Sequence, residues 1–157
     1  MANDEAVTLK INDASCSLQV GLRETLLTTL RDRLQLTAAK RGCNQGVCGA
    51  CTVEIDGVPM RACLTLSMAC AGSVVRTIEG LEADATMRRL QERFVEHGAL
   101  QCGFCTSGML IAARALVADN ASPDEADIRT ALSGNLCRCT GYTKIIAAVA
   151  AAAEAAR

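Results

Sequence analysis

Ten cysteines, at positions 16, 43, 48, 51, 63, 70, 102, 105, 137 and 139, constrain this 157-residue chain more than any other feature. Small secreted domains use cysteine as disulfide in place of a core they are too short to build. Here the chain is 50% hydrophobic, so a packed core is available without cross-links. The opening Met-Ala-Asn-Asp-Glu lacks the basic region and apolar run of a secretory signal, and no twin-arginine pair opens the chain. The longest apolar stretch, Ile145 to Ala153, is far short of the roughly 20 residues a membrane span needs. The expectation is a soluble, cytoplasmic protein without a membrane association. In such a reducing setting, clustered cysteines point to metal or redox chemistry.

Eight of the cysteines fall into two quartets. The first is Cys43-x4-Cys48-x2-Cys51 with Cys63 after a further eleven residues, which fits the plant-type 2Fe–2S ligand spacing. Gly42, Gly46 and Gly49 interleave with the ligands. A loop that wraps a cluster needs left-handed backbone and N–H groups aimed at sulfur, and glycine permits both. The second quartet is Cys102-Gly-Phe-Cys105 with Cys137-Arg-Cys139. It is not a c-type haem site, since Thr106 follows the second cysteine. A thioredoxin-like pair would stand alone, and a four-iron cluster would carry the bacterial Cys-x2-Cys-x2-Cys run. Zinc remains open on spacing alone, although a Cys-x-Cys half is unusual for it. Cys16 and Cys70 read as small buried hydrophobes.

The texture of the chain changes near Ile78. Before it, Val7–Ile11 and Ser15–Val20 flank Asn12-Asp13 as a hairpin, and Leu22, Leu26, Leu27, Leu30 and Leu34 predict an amphipathic helix over 22–35. A second hairpin turns on Asp56-Gly57. A short helix over Leu64–Ala69 and a strand near Val74–Thr77 follow. Residues 79–83 read as a linker. After them helices are expected at 84–97, 105–119, 123–133 and 141–156, the third opened by a capping box on Ser122, Pro123 and Glu125. The expectation is an α+β chain with two domains, residues 1–79 and 84–157, each holding one quartet.

Three motifs carry a family resemblance: Gly42-Cys-Asn-Gln-Gly-Val-Cys-Gly-Ala-Cys-Thr-Val53, Gln101-Cys-Gly-Phe-Cys-Thr-Ser-Gly-Met109 and Gly134-Asn-Leu-Cys-Arg-Cys-Thr-Gly-Tyr142. Over about residues 5–150 the chain resembles the small iron–sulfur subunit of the molybdenum hydroxylases, the xanthine dehydrogenase and aldehyde oxidoreductase family. The resemblance implies an N-terminal β-grasp, plant-ferredoxin-like domain and a C-terminal helical bundle, each with a 2Fe–2S cluster. It implies a large partner subunit carrying molybdopterin, in a dinucleotide form, and a medium subunit carrying FAD. The assembly implied is a heterotrimer, further dimerised in some members. Electrons would run from molybdenum through the cluster on Cys102, Cys105, Cys137 and Cys139, then the cluster on Cys43, Cys48, Cys51 and Cys63, toward FAD. Gln101 matches a family glutamine that contacts the pterin. Ser107 stands where many members have proline.

Other readings are bland. Gln101 could be a helix-start polar group, and His97 fits a helix end better than a ligand site. Phe104 and Tyr142 read as either cluster shielding or core. Arg138, between two ligands, could tune a cluster or pair with a partner's acid. The alanine-rich segment 147–156 reads as helix-forming filler. With 16 basic and 17 acidic residues intermixed, no nucleic-acid footprint is present. No catalytic pair, nucleophile constellation or phosphate loop is apparent, so substrate conversion is expected on another polypeptide. The alternatives to a relay subunit are a free-standing two-cluster ferredoxin, a redox sensor and a structural zinc protein.

Overall fold

The computed structural model describes residues 4–155. Strand β1 (Asp4–Ile11) and strand β2 (Ala14–Gly21) form an antiparallel hairpin. Asn12 and Asp13 take φ of 50° and 67° at its tip, the left-handed pair that a two-residue turn of this twist requires. On β1 the buried residues alternate as Val7, Leu9 and Ile11, so one strand face enters the core. Helix α1 (Leu26–Thr28) runs on as a π-helical turn over Thr29–Arg33. Strands β3 (Thr52–Ile55) and β4 (Val58–Arg61) pair across Asp56-Gly57, and β5 (Val74–Arg76) completes the sheet. The order is β2-β1-β5-β3-β4, with β1 and β5 parallel and the other neighbours antiparallel. The four helices after the sheet are α2 (Ala85–Glu96), α3 (Thr106–Asp119), α4 (Glu125–Leu132) and α5 (Thr143–Glu154). Among the described residues the fold is therefore α+β, a mixed sheet plus five helices.

Two separate cores result. Leu9, Leu26, Leu27, Leu30 and Val53 fill one beneath the sheet. Leu90, Phe94, Ile111, Leu132 and Ile145 fill the other between the helices. Several expectations need correction. The first helix begins at Leu26, not at residue 22, because Glu24 N–H turns back to the Gly21 carbonyl and Thr25 caps the helix; Leu22 stays exposed. The short helix expected over 64–69 is a 3₁₀ turn at Ser67–Cys70. Residues 79–83 are no free linker: Ile78–Leu81 is a 3₁₀ turn with Leu81 buried, and a Glu79 oxygen accepts the Ala38 N–H at 2.9 Å. The capping box of α4 lies two residues later than expected, with Asp124 and Asp127 exchanging side-chain-to-backbone bonds of 2.8 and 3.1 Å. The alanines of α5 are not filler either. Ala148, Ala152 and Ala153 are buried in the helical core, and α5 packs on α2 and α4.

Sheet and helices are tied by one charged clasp. Arg114 on α3 donates to Glu54 on β3 at 2.6 Å and to Asp84 at 2.7 Å. Asp84 also caps α2 by accepting the Met87 N–H at 2.7 Å. The hydrogen bond from Arg114 holds the Asp84 carboxyl below its ordinary range despite partial burial. Its contribution is present above the unfolded carboxylate pKa and is lost as pH falls through the lowered folded value. Glu54 is 2% exposed, so removing its partner strands a buried charge. Arg114→Ala is expected to cost about 2–4 kcal/mol, near the lower end for breaking a buried pair because Arg114 itself is partly exposed. Urea unfolding of the purified protein should register that loss, and the acid limb of the stability curve should flatten.

Candidate functional site

The first quartet sits on the loop between α1 and β3, with Cys63 just beyond β4. The loop bends back on itself through left-handed backbone at Asn44, Gly46 and Gly49. That path aims backbone donors inward: the N–H groups of Gln45 and Cys48 reach Cys43 Sγ at 3.4 and 3.3 Å. Gly42 has no room for a side chain, since a Cβ there would lie 2.9 Å from Cys48 Sγ. Cys51 and Cys63 are buried side by side, whereas Cys43 and Cys48 lie at the partly open edge. Beside them Val47 and Leu64 are more than half exposed, and Leu64 covers Gly46.

The second quartet comes from two places. Cys102 and Cys105 lie at the start of α3, with Cys105 as its capping residue. Cys137 and Cys139 occupy the loop between α4 and α5. The two segments meet: Cys139 Sγ lies 3.6 Å from Cys102 Sγ, and Cys105 lies against Cys137. Gln101 holds the same junction from the outside, its Nε2 donating to the Cys139 carbonyl at 3.1 Å. Tyr142 is a polar brace more than core filler. Its hydroxyl accepts the Cys137 N–H at 2.8 Å and donates to the Asn135 carbonyl at 3.2 Å. Phe104 is 46% exposed and its ring edge lies 3.4 Å from the Cβ position of Gly42, so it stands between the two quartets.

Backbone donors and burial separate the acidities of these thiols. Backbone N–H donors, that of Cys48 first, lower the Cys43 thiol to about 6. Burial pushes Cys51 up to about 11. In the second quartet, the Phe104 N–H leads the lowering of Cys102, while burial pushes Cys105 up to about 12. Cys139 is raised, chiefly by its contact with Cys102. Burial therefore keeps the Cys51 and Cys105 thiols protonated near neutral pH. A bound cation reverses that, because coordination deprotonates a thiol outright. Cys16 and Cys70 stand apart, donating to the Leu9 and Leu66 carbonyls at 3.5 and 3.6 Å.

The quartets are joined by direct contact. The Leu136 N–H, next to Cys137, donates to the Cys48 carbonyl at 2.9 Å. Buried Asn135 donates to the Gly49 carbonyl at 3.1 Å and to Thr52 Oγ1 at 3.3 Å. Arg61 donates to Thr52 Oγ1 and to the Gly134 carbonyl, both at 2.6 Å.

Comparison with known proteins fits this arrangement. Residues 14–91 match the family described as 2Fe-2S iron-sulfur cluster binding domain, and residues 77–150 match the 2Fe-2S binding domain. The nicotine 6-hydroxylase small subunit of Paenarthrobacter nicotinovorans is 48% identical, over 91% of this chain and 86% of its own. The nicotinate dehydrogenase small FeS subunit of Eubacterium barkeri is 43% identical over 97% of each chain. A chain of quinoline 2-oxidoreductase from Pseudomonas putida 86 superposes with a TM-score of 0.92 at 47% identity, covering 99% of this chain and 98% of that one. The chain belongs to the small iron–sulfur subunits of the molybdenum hydroxylases. Among the described residues of this small subunit, no helix is long and apolar enough to cross a membrane.

Sequence motifs located the eight thiols and Gln101, but not the groups that dock one quartet on the other. Arg61, Asn135 and Gly108 carry no signal as isolated residues. Gly108 is the tightest of these contacts: a Cβ there would lie 2.3 Å from the Gly49 carbonyl oxygen, a backbone atom that cannot swing away. Gly108→Ala is therefore expected to cost about 1–3 kcal/mol through overpacking. The measurement is the apparent Tm of the purified subunit, which should fall, whereas Gly57→Ala, in open space, should act only through its turn geometry.

Proposed function

We propose that Cys43, Cys48, Cys51 and Cys63 hold one 2Fe–2S cluster, and that Cys102, Cys105, Cys137 and Cys139 hold a second. Two domains, residues 1–79 of β-grasp ferredoxin type and 84–157 of helical type, would carry one each. The observation behind this reading is the pairing within each quartet. Cys43 lies with Cys48 and Cys51 with Cys63; Cys102 lies with Cys139 and Cys105 with Cys137. Two thiolates per iron is the arrangement a 2Fe–2S cluster takes, so the donor set fits the group. When bound, such a cluster takes up and releases single electrons. The chain supplies four thiolates to each, donors to their sulfurs, and a short hydrogen-bonded contact between Cys48 and Leu136.

The protein is an electron-transfer subunit of a multi-subunit molybdenum-dependent oxidoreductase, and its relatives are small subunits with larger partners. We assign the exposed Cys102–Cys139 edge to the molybdopterin-bearing large subunit, with Gln101 as the pterin contact. The edge at Cys43, with exposed Val47 and Leu64, would face an FAD-bearing medium subunit, completing a heterotrimer. Ten unpaired thiols suit a reducing compartment such as the cytoplasm. Substrate choice belongs to the large subunit's pocket. A free-standing ferredoxin or sensor is not favoured, because the relatives are subunits of larger enzymes.

The purified complex should contain about four irons and four sulfides per copy of this chain; stoichiometric zinc without iron would overturn the reading. On reduction, two distinct rhombic EPR signals are expected. Cys137→Ser should remove one and Cys51→Ser the other, with roughly half the iron lost in each. Recovery of the native chain as a stable holo-monomer would count against the subunit assignment.

A further inference from the structure

Thr140 follows the last cysteine of the second quartet, and its hydroxyl donates to Cys137 Sγ at 3.1 Å. A threonine hydroxyl has one proton to give and two lone pairs. The Tyr142 N–H approaches the same oxygen at 3.3 Å, so the oxygen accepts from the backbone while its proton is directed at sulfur. Left-handed backbone at Gly141 and Tyr142, with φ of 66° and 69°, turns that N–H back. The Cys137 N–H does not serve its own sulfur, because Tyr142 Oη takes it at 2.8 Å. The first quartet is arranged differently: the hydrogen bonds to Cys43 Sγ come from the backbone of Gln45 and Cys48. Among the described residues, Thr140 is the one non-cysteine side chain that hydrogen-bonds to any of the eight thiols.

We propose that Thr140 sets the reduction potential of the second cluster, raising it through the hydroxyl bond to Cys137. The proposal rests on the assignment of Cys102, Cys105, Cys137 and Cys139 as ligands. The redox step is the uptake of one electron from an external reductant, with no proton transferred and no bond broken. The added electron increases negative charge on the ligand sulfurs, and a donor already aimed at one of them stabilises the reduced form more than the oxidised form. Hydrogen bonds to sulfur are among the determinants of cluster potential. Because this donor is a side chain, the potential of one cluster can be altered by substitution while the other is left alone.

The test is an EPR-monitored redox titration of the assembled enzyme, comparing wild type with Thr140→Val and Thr140→Ser. Valine keeps the branched shape and removes the proton; serine keeps the proton and removes the methyl group. The expected result is a more negative midpoint for the second cluster's signal in Thr140→Val, an unmoved midpoint for the first, and wild-type behaviour in Thr140→Ser. Two intact signals with unchanged midpoints in Thr140→Val would overturn the proposal while leaving the ligand assignment standing. Equal shifts of both signals would also overturn it. If valine prevents cluster insertion, Thr140→Ser decides alone: a displaced midpoint overturns the proposal, and a retained one supports it when deuterium exchange reveals a coupled exchangeable proton. A wild-type complex with one cluster signal would overturn the ligand assignment and this proposal together.

Discussion

The contact between the Cys48 carbonyl and the Leu136 N–H places a residue of one quartet against the neighbour of a residue of the other. Two independent backbones have to approach to hydrogen-bonding distance there, and most of the surrounding sequence serves that approach. Side chains are absent where they would block it, at Gly49 and Gly108. Polar groups stripped of water along the seam are repaid by Asn135 and Arg61: Arg61 satisfies the Gly134 carbonyl, and Asn135 joins Thr52 on the Gly49 carbonyl. Arg114 ties α3 to β3 through Glu54 and to the cap of α2 through Asp84. Electron tunnelling weakens steeply with distance, so a seam this close is a functional dimension as well as a packing one.

The quartets differ in what they expose, and the difference follows from where each loop is anchored. Cys51 and Cys63 are held by the start of β3 and the end of β4, so they are drawn under the sheet edge. Cys102 and Cys139 belong to irregular segments at helix ends and remain at the surface. One quartet is therefore half enclosed by its own fold, and the other is left open on the side of Gln101.

Legibility in the sequence tracked how local the determining physics is. The hairpin at Asn12-Asp13, the turn at Asp56-Gly57 and the cysteine spacings depend on neighbours in sequence, and they were readable. Leu22 keeps the helical period of the first helix, but the turn at Gly21–Glu24 and the bridge between Thr25 and Leu66 decide its start. Residues 79–83 looked like a linker because Glu79 and Gly80 are polar or small. Their partners, Ala38 and Asn12, are distant in sequence, and Asn12 leaves Gly80 no space for a side chain. Asn135 lies within the Gly134–Tyr142 motif, but the motif does not show what it bonds. Its role is long-range, and a single asparagine has no periodicity to betray it.

Tyr142 shows how a loop without secondary structure can still be rigid. The Cys137–Cys139 segment lacks a ladder or helix to pair its backbone, and unpaired buried groups are costly. One phenol hydroxyl takes the place of that missing partner, accepting from Cys137 and donating to Asn135. Asn135 in turn reaches Gly49 and Thr52, so the brace is continuous with the seam between the quartets. The same economy has a chemical side: a backbone N–H committed to Tyr142 is withdrawn from the sulfur beside it. Tyr142 thus braces this loop and, from five residues away, holds the Cys137 N–H, while the Thr140 hydroxyl donates to Cys137 Sγ.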